Sequence, residues 1–83
     1  DLVKARRFFE MSIQLDPKNR EIVVPNLNGL ALVSLYEGQP ENALEYLSRA
    51  SALEKNNSIT KINTIAVRMS GSKWNEAMRE AQE

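Results

Sequence analysis

The sequence predicts an all-α protein, an α-solenoid of antiparallel helix pairs with about five helices in 83 residues. Three observations carry this. Apolar residues recur at three- and four-residue steps, one face of a helix, and no segment sustains strand alternation. Clusters of Pro, Gly, Asn and Ser divide the pattern into helix-sized pieces. The pattern also repeats: "LNGLAL" at 27–32 is echoed 35 positions on by "INTIAV" at 62–67. Each is a large aliphatic, Asn, a small or polar residue, a large aliphatic, Ala and a large aliphatic.

Residues 2–15 place Leu2, Ala5, Phe9, Ser12 and Ile13 on one helical face. "DPKN" at 16–19 ends that helix, because Pro17 disfavours helical geometry at Asp16 and has no N–H. A second helix spans 20–36 through Val24, Leu27, Leu30, Ala31 and Ser34. Pro25 fits if it lies in the first turn, where N–H groups have no intrahelical partner. Otherwise Ile22–Val24 form a short extended lead-in and the helix begins at Pro25.

"EGQPE" at 37–41 is turn chemistry, with Gly38 suited to the left-handed conformation and Pro40 to opening a helix. Helix three then runs from about 40 to 54, turning Ala43, Leu44, Leu47, Ala50 and Leu53 inward. "KNNS" breaks it, and Ser58 is the expected cap of helix four, 59–70, carried by Ile59, Ile62, Ile65, Ala66 and Met69. "SGSK" predicts a further turn with Ser72 as a cap. Trp74, Ala77, Met78 and Ala81 begin a fifth helix that the chain end truncates.

Composition narrows the function. The chain is 42% hydrophobic with zero net charge, which argues against disorder. Eleven basic residues balance eleven acidic ones, leaving no bulk field to attract nucleic acid or an anionic membrane. Lys4, Arg6 and Arg7, flanked by Asp1 and Glu10, read as a solvated face. With no Cys and no His, disulfides, zinc sites of the N/S kind, thiol chemistry and the usual proton shuttle are gone. The i,i+4 pairs Glu41/Glu45 and Glu76/Glu80 read as exposed charges rather than a catalytic dyad. Asn56-Asn57-Ser58 meets the N-glycosylation pattern, which matters only in a secreted eukaryotic protein. No catalytic, metal or cofactor constellation is present, so no enzyme and no cofactor is expected. No run approaches the ~18 apolar residues that span a bilayer. The opening "DLVKARRFFEM" is an amphipathic pattern already under way and suggests a piece of a longer, soluble protein, cytoplasmic or periplasmic.

The second helices confirm the echo. Ala5-x3-Phe9-x2-Ser12-x4-Pro17 matches Ala43-x3-Leu47-x2-Ala50-x4-Lys55, and Ala77-x3-Ala81 begins the series again. The step from Ala43 to Ala77 is 34 residues, and from Ala5 to Ala43 it is 38, about one turn longer. This resembles the tetratricopeptide repeat, a helix–turn–helix unit with the pattern W-x2-L-G-x2-Y, then A-x3-F, then P. Leu27-x2-Leu30-Ala31-x2-Ser34 and Ile62-x2-Ile65-Ala66-x2-Met69 occupy its first part, and "LDP" at 15–17 is the family's usual ending. The first position is aliphatic rather than Trp, Ala replaces Gly, and Lys55 stands at the closing Pro. The resemblance covers 1–83 as one domain. Residues 2–16 are the second helix of a repeat, 20–54 a complete repeat with a longer first helix, and 58–83 a truncated third.

What the resemblance implies is a non-enzymatic scaffold whose first helices line a concave groove for a partner's peptide or helix. Its groove positions fall on Asn28, Leu32, Leu35 and Tyr36, then on Asn63, Val67 and Ser70. Asn28 and Asn63 offer donor and acceptor to an extended backbone; the alternative is that they are simply polar residues on an exposed face. With Lys61 and Arg68 the only nearby cations, the clamp for a terminal carboxylate found in some members is not expected. Trp74 is placed in the core, and of Tyr36 and Tyr46 only Tyr36 is read as a contact. Two further roles stay open. One is homo-oligomerisation through the uncovered side of the Phe9 helix. The other is a regulatory segment of a larger protein, such as those of bacterial secretion or pilus assembly.

Overall fold

The computed structural model describes the backbone of residues 1–82 and the side chains of residues 1–71 and 79. Its four helices are α1 (Leu2–Leu15), α2 (Arg20–Tyr36), α3 (Pro40–Leu53) and α4 (Ser58–Gln82). Each begins and ends for a local reason. Asp1 caps α1 by accepting from the Val3 and Lys4 N–H groups, and Asn19 caps α2 by accepting from Glu21. Asn57, not the expected Ser58, caps α4: its Oδ1 accepts from the Thr60 N–H at 2.9 Å. At the end of α2 the Gly38 N–H bonds the Leu35 carbonyl and the Gln39 N–H bonds that of Ser34. This double closure needs a left-handed residue at its centre, and Gly38 supplies it with φ 78°.

Two sequence expectations are corrected along the chain. Pro25 neither lies in the first turn nor opens the helix; it is inside α2, which begins at Arg20. It cannot return an N–H to the Glu21 carbonyl, but both residues are exposed, so that carbonyl stays in reach of water. Around it, Asn26 Nδ2 donates to the Ile22 carbonyl at 2.7 Å and Asn28 Nδ2 to that of Val24 at 3.0 Å. The second correction concerns helix number. The "SGSK" stretch is not a turn, and α4 continues through it for 25 residues, giving four helices instead of five. Gly within a helix costs about 1 kcal/mol but keeps its N–H. Gly71 is buried, and a Cβ placed there would lie 3.3 Å from Pro40 Cβ. Helical geometry thus continues through the point where α4 lies against Pro40 of α3. Trp74, Ala77, Met78 and Ala81 lie in this continuation, and their side chains are outside the described residues.

Short connections send successive helices in opposite directions, and residue pairings agree. Phe9 lies against Gly29 while Arg6 is ion-paired with Glu37, so α1 and α2 are antiparallel. Pro40 meets Gly71 at one end of the α3–α4 pair. Helices α2 and α4 run parallel and also touch, with α3 packed against both. The result is a thin array of helices, 47 × 29 × 13 Å.

The core sits on α2, the one helix packed against all three others. Val23, Val24, Leu27, Leu30 and Ala50 form one buried cluster, closed by Phe9, Ile13 and Tyr46. Ala31, Ala43, Leu47 and Val67 form the other, with Leu35 and Leu44 at its edge. The expected inner faces of α2 and α3 are thus the observed ones, except that Leu53 is 38% exposed. Helix α4 is the exception. Ile59, Ile62, Ile65, Ala66 and Met69 were expected to carry its packing, yet all are exposed. Leu30 is 2% exposed and its counterpart Ile65 59%. The inward side is Thr60, Asn63, Thr64, Val67 and Gly71. Among the described residues α4 is covered on one side by α2 and α3, and that face has small residues for close approach and polar ones that bond α2.

Candidate functional site: the face shared by the second and fourth helices

The parallel course of α2 and α4 brings the two echoed segments side by side. Asn63 Nδ2 donates to Asn28 Oδ1 at 2.9 Å, and Asn28 Nδ2 donates to Thr60 Oγ1 at 2.9 Å. The Thr60 hydroxyl in turn donates to Asn57 Oδ1 at 3.2 Å. Asn28 is 5% exposed, and both N–H groups of its amide are used, one by Val24 and one by Thr60. Burial of an amide demands this satisfaction.

The sequence-derived groove therefore divides. Asn28 and Val67 do not line an open surface: Asn28 is committed to the α2–α4 seam, and Val67 is fully buried among Ala31, Ala43 and Leu47. Asn63 is half-buried, bonded to Asn28, and reaches the surface only in part. Leu35 is half-buried against the second cluster. Leu32, Tyr36 and Ser70 are exposed, Tyr36 by 76%.

Three of the seven residues meet at one cavity. Leu35, Tyr36 and Ser70 line a space of about 280 Å³ together with Gly38 and Pro40. The local chain explains the shape. Gly38 makes the tight turn that leads from α2 to Pro40, and Gly71 lets α4 pass against Pro40. The lining is mostly apolar, with Tyr36 and Ser70 the residues that carry hydroxyls. Among the described residues no group of His, Cys, Asp or Glu could hold a metal ion. Among them, too, no helix is long and apolar enough to cross a membrane.

Gly38 and Pro40 escaped the sequence reading as site members, because they were assigned only to turn formation. The signal was present: a turn joining α2 to α3 must lie at the end of the α2 face that carries Tyr36. Compared with protein-family models, curated proteins and solved structures, the chain matches none of them.

Proposed function

We propose that this chain is a non-enzymatic protein-interaction scaffold, a tetratricopeptide-like solenoid segment that docks a partner's peptide or helix beside Tyr36. The observation that carries the reading is the exposed Tyr36 ring at the mouth of a preformed apolar cavity, with Leu32 on the same helix. Tyrosine, an aromatic with a polar tip, is among the residue types enriched at interaction hot spots. The repeat spacing and the side-by-side asparagines of α2 and α4 support the solenoid part. So does the outward apolar face of α4, which is where the next helix packs when repeats stack.

Selection of peptides from a random display library against the purified chain tests this. Selected peptides should bind saturably, and Tyr36→Ala should weaken them at least tenfold with the helical circular dichroism unchanged. Peptides that bind Tyr36→Ala and Leu32→Asp as tightly as the parent chain would remove the groove from consideration.

A second reading, self-association, is favoured by two other surfaces. Phe8, Met11 and Leu15 are exposed on α1, and Ile59, Ile62, Ile65 and Met69 on α4. Paired apolar stripes of this kind at both ends suit end-to-end stacking of copies. Light scattering at two concentrations decides it: a constant monomer mass ends the self-association reading.

A further inference from the structure

We propose that a second surface, the cleft between the end of α3 and the start of α4, docks an acidic peptide segment of a partner protein. The inference rests on the scaffold reading but uses a different face. The cleft, about 320 Å³, is lined by three cations, Lys55, Lys61 and Arg68, with Ser51, Thr64 and Ile65 among its other walls. All three cations are exposed. The one ion pair among the described residues is Arg6 with Glu37, so none of the three cations is paired with a described acid. The nearest acid in sequence, Glu54, is exposed, does not line the cleft and makes no ion pair there.

Two further features add to the positive potential and shape it. The cleft lies over the first turns of α4, whose N-terminal end carries the positive pole of a 25-residue helix. Lys61 and Arg68 are seven residues apart, hence on one face and separated by about 10 Å of helix rise. Ile65, 59% exposed, sits between them. Two cations with an apolar residue between them match carboxylates that flank an apolar side chain. An extended segment spans that separation in about three residues.

Protein is favoured over nucleic acid on this face. Among the described residues no aromatic lines the cleft for base stacking. Three cations make a short track on a chain of zero net charge, whereas backbone binding draws on many phosphate contacts. The positive field here is local, so it selects a short acidic stretch and leaves the rest of the molecule neutral.

The probe is the peptide GEEIEEG-amide with an uncharged boron-dipyrromethene dye acylated onto its N-terminus, so that both ends are blocked and only side-chain carboxylates are offered. Its anisotropy should rise saturably at low salt and fall back as NaCl is raised. Lys61→Glu and Arg68→Glu should each weaken binding at least fivefold, while Lys4→Glu on α1 and Tyr36→Ala leave it within twofold. The GQQIQQG analogue should not bind. No saturable signal, equal loss with Lys4→Glu, or tighter binding of a single-stranded oligonucleotide would each overturn the proposal. Loss on Tyr36→Ala would overturn it too, by moving the peptide to the other face. Display-selected peptides that need Tyr36, alongside an acidic peptide that never binds, would leave the scaffold standing without this second site.

Discussion

Asn63 donates a hydrogen bond of 2.9 Å to Asn28, joining two residues 35 apart that hold the same place in the two echoed segments. The bond lies between parallel helices, and the Thr60 hydroxyl extends it to the cap of α4. A buried amide in this setting favours one register of α4 on α2, since a slip would leave it without partners.

Asn28→Ala should destabilise the chain by about 1–3 kcal/mol, because the amide of Asn63 and the hydroxyl of Thr60 both lose a buried partner. Urea denaturation measures this. The double variant with Asn63→Ala should cost less than the two single changes summed, the mark of direct coupling. Strict additivity would show that the two amides act separately.

Gly29→Ala should also destabilise, by about 1–3 kcal/mol, despite the helix propensity that Ala adds. A Cβ at Gly29 would stand 2.6 Å from two atoms of the Phe9 ring. Pairing the change with Phe9→Leu should recover part of the loss, and a thermal melt of the two variants reads it directly.

At Ala43, fully buried where α3 meets α2 and α4, Leu should cost roughly 1–3 kcal/mol by overpacking. In a chain of this size each kcal/mol moves the melting temperature by about 4–8 °C. An unchanged melt would mean that the helices are not held close at this position.

Ser34→Ala is the opposite case. The Ser34 hydroxyl is buried and has no hydrogen-bond partner among the described residues. Removing it relieves a desolvated polar group and adds helix propensity, so stability should rise by about 1 kcal/mol. Chemical denaturation that shows a loss would place an unseen partner at this hydroxyl.

Legibility differed between elements for physical reasons. The end of α1, the end of α2 and the start of α3 follow from Pro17, Gly38 and Pro40, whose backbone restrictions act whatever surrounds them. The apolar face of α2 was legible because packing on several sides leaves that stripe little choice. The face of α4 was not. Ile62 and Ile65 outweigh Thr60 and Val67 in hydrophobicity, but one covered side had to be chosen, and hydrogen bonds to Asn28 chose the more polar one. In the candidate site, Tyr36, Leu35 and Ser70 came from the repeat pattern. Asn28 and Val67 were misjudged because spacing identifies a helix face without saying how deeply a neighbour covers it.

By itself the sequence determined helical class, the first three helices and their turns, and the absence of Cys and His chemistry. These depend on each residue's own backbone and side-chain properties. Only the tertiary structure decided that α4 runs on through Gly71, that its isoleucines face outward, and that Asn28 bonds Asn63 instead of a ligand. Those outcomes depend on which surfaces meet, and Gly71 and Asn28 acquire their roles only from Pro40 and Asn63 lying against them.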